Sequence, residues 1–139
     1  MISIYLMLAC LFWAGLALLV YELFWYFLEK KLTLLSRIPP EFLEETGPGL
    51  FVSRYIMHFA FLVALPTAVY SWFYVMVPFT NLRAGLVLAL GLFILGIIPF
   101  SVTLLMRFKL PLSYTLFQMA GHLIRLVIVY GIISYLYIL

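Results

Sequence analysis

Four long apolar runs, separated by short polar punctuation, organise the chain. The first, ISIYLMLACLFWAGLALLVYELFWYFLEKK, predicts a helix over about 3–28 and stops at Glu29-Lys30-Lys31. The second, LFVSRYIMHFAFLVALPTAVYSWFYVMV, covers about 50–77. The third, AGLVLALGLFILGIIPFSVTLLM, covers about 84–106, and the fourth, LSYTLFQMAGHLIRLVIVYGIISYLYIL, covers about 112–139. A spanning helix needs roughly 20 apolar residues at a rise of about 1.5 Å each. Each run meets that length. The expected fold is therefore all-α: one integral membrane domain over 1–139, with four transmembrane helices in an antiparallel bundle.

The connections are unequal. Residues 29–49, EKKLTLLSRIPPEFLEETGPG, form the longest one. Within it PEFLEET reads as a short helix, opened by proline and closed by Gly47-Pro48. The other loops, at 78–83 and 107–111, are short. Short connections turn neighbouring helices antiparallel. Pro66 and Pro99 lie inside the second and third runs, where each removes a backbone donor and predicts a kink.

Composition agrees with this reading. The chain has 139 residues, of which 68% are hydrophobic and 9% charged. A soluble domain averages about 25% charged residues. The net charge of +3 sits near the helix ends, so it reads as a topology signal and nucleic-acid binding is not expected. Lys30, Lys31, Arg37, Arg54, Arg107 and Lys109 flank the 29–49 and 107–111 loops, against Arg83 alone on the opposite side. The positive-inside rule then puts those two loops in the cytoplasm and both termini outside it. The expected location is a bacterial-type cytoplasmic (inner) membrane.

Cys10 is the only cysteine, which excludes an intramolecular disulfide and a paired-cysteine oxidoreductase. No small-residue cleavage pattern interrupts the first run, so that helix is expected to be retained. The chain carries no catalytic signature, and an enzyme is not the favoured expectation.

The chemistry worth suspecting lies inside the runs. In QMAGHLIRLVIVYG the residues Gln118, His122 and Arg125 follow i, i+4, i+7 spacing and share one helix face. Arg54 and His58 are four residues apart in the second run, and Glu22 lies about two turns before the end of the first. A charged group at the bilayer centre costs from about 2.5 kcal/mol upward, so such groups pair or line a cavity. All six residues fall in or near the cytoplasmic half, on helices one, two and four. A polar cluster between those helices satisfies them together. Read this way, Glu22 is the sole nearby carboxylate for two arginines, and one positive charge is left for a ligand, a lipid headgroup or a partner. Gly121 leaves room beside His122 for something to approach.

Plainer roles stand beside these. Arg54 can snorkel to the interface, Glu22 can fix helix register with one arginine, and His58 can bond a backbone carbonyl. Among function classes, an accessory subunit of a larger membrane complex, meeting other subunits or a second copy amid membrane lipids, is expected first. A small transporter or binder of an acidic lipid, quinone or other amphiphile is second. A b-type haem held by His58 and His122 is a further expectation, because two histidines on different helices at similar depth can ligate one iron.

Overall fold

A computed structural model describes residues 4–32, 48–73, 82–108 and 110–138. Those residues are helical almost throughout and include four helices long and apolar enough to cross a membrane. Helix α1 covers Ile4–Leu32. Helix α2 covers Pro48–His58, passes through a π-helical turn at Phe59–Ala64, and continues as α3, Leu65–Phe73. Helix α4, Leu82–Leu92, likewise passes through a π-helical turn at Phe93–Ile97 into α5, Ile98–Phe108. Helix α6 covers Leu112–Ile138.

The first helix runs four residues past the predicted end at 28. No breaker follows Leu28, and Lys30 and Lys31 in the last turn complement the helix dipole. Glu29 is buried in it rather than placed in a loop. The second and third helices also begin two residues earlier than expected, at Pro48 and Leu82. The PEFLEET segment lies outside the described residues. So does most of the expected 29–49 and 78–83 loops, whereas of 107–111 only Lys109 lies outside them.

Both prolines act in the same way. Each π-helical turn ends two residues before its proline, Pro66 or Pro99. The Leu65 N–H bonds the Ala60 carbonyl and the Ile98 N–H bonds the Phe93 carbonyl, five residues back in each case. A proline lacks an N–H and its ring crowds the carbonyl four residues earlier. Widening the preceding turn relieves that clash while keeping most backbone groups bonded.

The buried stripe of α1 is continuous: Cys10, Ala14, Leu18, then Tyr21, Glu22, Trp25 and Glu29. Three- and four-residue steps keep these on one face. Its first half is apolar and packs with Val63, Val129 and Ile133. Its second half carries the carboxylates. A second apolar cluster joins Ala89 of α4 to Leu126 and Tyr130 of α6. Helix α6 is the hub, in contact with α1, α4, α5 and both π-helical turns. At Gly85 the α4 backbone lies so close to α6 that a Cβ would fall 2.5 Å from the Tyr130 carbonyl oxygen. The second and third spans, by contrast, present most of their large side chains outward.

Candidate functional site: a charge-closed intramembrane cluster

The structure brings Glu22, Arg54, His58, Gln118, His122 and Arg125 into one cluster between α1, α2 and α6. Its centre is the Glu22 carboxylate. Arg125 Nε donates to Glu22 Oε1 at 2.5 Å, and Arg125 Nη2 donates to Oε2 at 3.3 Å. His58 Nδ1 donates to the same Oε1 at 2.6 Å. Arg54 Nε lies 3.8 Å from Glu22 Oε2. Glu22 and Arg125 are both buried, so this is a desolvated pair with two-point geometry, the form in which such pairs are strongest.

Glu29 completes the cluster. Arg54 Nη1 and Nη2 both donate to Glu29 Oε2 at 3.4 Å. Gln118 Nε2 donates to Glu29 Oε1 at 3.4 Å. This corrects the expectation that Glu22 is the sole carboxylate. With neutral imidazoles, Glu22 and Glu29 carry −2 and Arg54 and Arg125 carry +2, so the four formal charges close to zero within the chain. Among the described residues the cluster therefore carries no surplus cation. The signal was present in the sequence: Glu29 lies seven residues after Glu22, two turns along the same face.

Aromatic side chains wall the buried guanidinium. Arg125 Cζ lies 5.4 Å from the Tyr21 ring centroid and 5.6 Å from that of Trp25, within cation–π range. Trp25 stacks on Phe117 with centroids 4.1 Å apart. The group that approaches Gly121 is Trp25 itself; a Cβ at 121 would fall 2.5 Å from its Cζ2. Tyr21 ties the same spot by donating to the Gly121 carbonyl at 3.2 Å. Trp25 lies near the end of α1, where aromatics usually sit at an interface, yet it is buried, three residues from Glu22. Its indole N–H finds no hydrogen-bond partner among the described residues.

Arg125 does not snorkel, and Arg54 is drawn inward to the two carboxylates. His58 bonds Glu22 rather than a backbone carbonyl. The His58 and His122 rings meet edge to face, with centroids 5.8 Å apart and planes at 89°. Arg125 Nη1 donates to His122 Nδ1 at 3.5 Å. The contacts thus run His58–Glu22–Arg125–His122 without a break. A haem held by both rings would have to displace that chain of ion pairs. Among the described residues no group of three or more His, Cys, Asp or Glu side chains is placed to hold a metal ion.

In the half away from the cluster, α1 and α6 leave an open apolar groove of about 860 Å³. Trp13, Leu16 and Val20 form one side and Ile128, Ile132 and Tyr135 the other. Comparison with family models, curated proteins and solved structures finds no match to this chain. The functional reading therefore rests on the residues themselves.

Proposed function

We propose that this chain is a small accessory subunit of a larger membrane complex. In this reading it is an antiparallel four-helix bundle with both termini on the non-cytoplasmic side of a bacterial-type inner membrane. The antiparallel arrangement is supported by the contact pairs between α1 and α6, in which Glu22 meets Arg125 while Glu29 meets Gln118. The orientation is supported by the basic residues that flank 29–49 and 107–111.

One observation carries the accessory role. Among the described residues the charges of the polar cluster pair with one another, which leaves the outward faces to meet another molecule. Those faces are rich in large aromatics. Phe12, Trp13, Phe24, Phe27, Phe61, Trp72 and Phe100 are all exposed. Lipid contact needs only aliphatic groups, whereas aromatic rings add area and directional contacts that favour protein neighbours. The closed cluster then acts as an internal lock that holds α1, α2 and α6 in register and keeps those faces in fixed relative positions. Buried polar groups have such a register-fixing use in other helical assemblies.

The test is purification of a tagged protein from its native membrane in lipid nanodiscs, followed by mass spectrometry. A second membrane protein, or a second copy, in fixed stoichiometry is expected. A lone chain carrying only bulk lipid overturns the reading. The apolar groove favours a second reading, a binder of the tail of a lipid, quinone or other amphiphile. Its outcome in the same experiment is a lone chain with one amphiphile retained at unit stoichiometry.

A further inference from the structure

We propose that the apolar groove between α1 and α6 is the docking site for one transmembrane helix of a different membrane protein. This rests on the accessory reading and names where that partner sits.

The seam between α1 and α6 has two sides, and the chain itself shows what fills one of them. On the covered side Cys10, Ala14 and Leu18 of α1 face Val129 and Ile133 of α6, and Val63 of the second span inserts between them. All six are fully buried. On the open side Trp13, Ala17 and Val20 of α1 face Ile128, Gly131 and Tyr135 of α6. Trp13, Val20 and Tyr135 are each more than half exposed. Both sets advance by three- and four-residue steps, so they lie on adjoining faces of the same two helices. A helix packs on the first face. The second offers the same two-helix ledge and continues that interface around the seam.

Size favours a helix over a lipid tail. Trp13 to Val20 and Ile128 to Leu136 each cover about 10–12 Å at a rise of about 1.5 Å per residue. Over that length a volume of about 860 Å³ has a mean cross-section of roughly 70 Å², that of a rod about 9.5 Å across. A helix with its side chains is about 10–12 Å across. An aliphatic tail is about 4 Å across by carbon contact distance and leaves most of that section empty. The floor suits a helix as well. Ala17 and Gly131 are small, and a Cβ on Gly131 meets nothing within 4 Å. Small residues at such a contact let a neighbouring backbone come close.

The lining sets the chemistry of the partner. It holds no charged side chain, and its polar side-chain atoms are the Trp13 indole nitrogen and the Tyr135 hydroxyl. The docked helix therefore carries apolar side chains at i, i+3 or i+4, and i+7 through this half of the membrane, with a large one over Gly131. A second copy does not meet the need. A two-fold axis sets groove against groove, concave on concave, and fills neither. A copy turned to insert another of its helices leaves its own groove open, which builds a chain of copies and not a closed pair.

Two measurements on tagged protein in its native membrane test this. In the first, a photoreactive phenylalanine analogue replaces Leu16 in the groove wall, and mass spectrometry maps the adduct. The expected adduct is one apolar transmembrane segment of a different protein. In the second, Gly131→Phe fills the groove and Gly91→Phe adds the same bulk at an equally open site on α4. Co-purification of the mapped partner is expected to fall at least about tenfold with Gly131→Phe and to hold with Gly91→Phe. The first measurement stands even where Gly131→Phe fails to fold. An adduct with lipid alone or with a second copy overturns the proposal, as does a partner recovered equally with a folded Gly131→Phe. Where a partner still co-purifies in those cases, the accessory reading survives without this docking site. Where none co-purifies, both fall.

Discussion

Arg125 and Glu22, 103 positions apart in the chain, hold each other through two donor–acceptor contacts at 2.5 and 3.3 Å in the dry interior of the bundle. Every other polar contact of the cluster is arranged around that pair. Removing one partner of such a pair leaves an uncompensated buried charge, which typically costs about 3–5 kcal/mol. The outer pair, Arg54 with Glu29, is longer and more exposed. The two pairs should therefore respond differently.

Arg54→Ala is expected to destabilise by only about 1 kcal/mol, in line with partly exposed ion pairs. Glu29 then keeps its bond from Gln118. Unfolding in mixed micelles measures this. A loss as large as that of Arg125→Leu would mean that the outer pair holds the helices as firmly as the inner one.

Two glycines sit where helices approach most closely. Gly121→Ala drives a methyl into Trp25, and Gly85→Ala drives one toward the Tyr130 carbonyl. Each is expected to cost about 1–3 kcal/mol by overpacking. Gly91→Ala meets nothing within 4 Å and is expected to be neutral or to gain up to about 1 kcal/mol from helix propensity. Thermal unfolding should place Gly121→Ala and Gly85→Ala below the parent protein and Gly91→Ala at or above it.

Trp25 contributes through its rings and not through its N–H, which is unpartnered among the described residues. Trp25→Phe is expected to cost about 1.5 kcal/mol or less. Trp25→Ala removes the wall beside Arg125 and the stack on Phe117, and is expected to cost about 3–5 kcal/mol. Equal losses for the two variants would point to a hidden hydrogen bond.

The prolines separate cause from coincidence. Pro66→Ala should let the π-helical turn relax toward α-helix, which shifts the preceding turn by about 100° per residue removed from the bulge. His58 directly precedes that turn, so its contact with Glu22 should weaken. Pro99→Ala alters a span that carries no cluster residue and should change stability by less than about 1 kcal/mol. The ¹⁵N shifts of the His58 ring report the difference: changed in the first variant, unchanged in the second.

The helix number was legible because each apolar run is long enough by itself to cross a bilayer. The convergence of Arg54, His58, Gln118, His122 and Arg125 was legible for a different reason. Helical spacing puts each set on one face, and hydrocarbon leaves such groups few partners but one another. Glu29 was missed because Lys30-Lys31 beside it signals a helix end, and a charge there reads as solvated. Trp25 was missed because aromatics near a span's end are usually interfacial. Its burial depends on Gly121, 96 positions away, and no local pattern carries such a pairing. The π-helical turns were visible only as prolines, since a sequence marks the lost donor and not how the backbone accommodates it.

A double-mutant cycle on Glu22 and Arg125 asks whether the cluster is a lock closed within the chain. Glu22→Leu, Arg125→Leu and the double variant would be unfolded reversibly in mixed micelles beside the parent protein. The expected result is a loss of about 3–5 kcal/mol for each single change and a double variant at least about 2 kcal/mol more stable than their sum implies. Strict additivity, or an Arg125→Leu variant as stable as the parent, would contradict it.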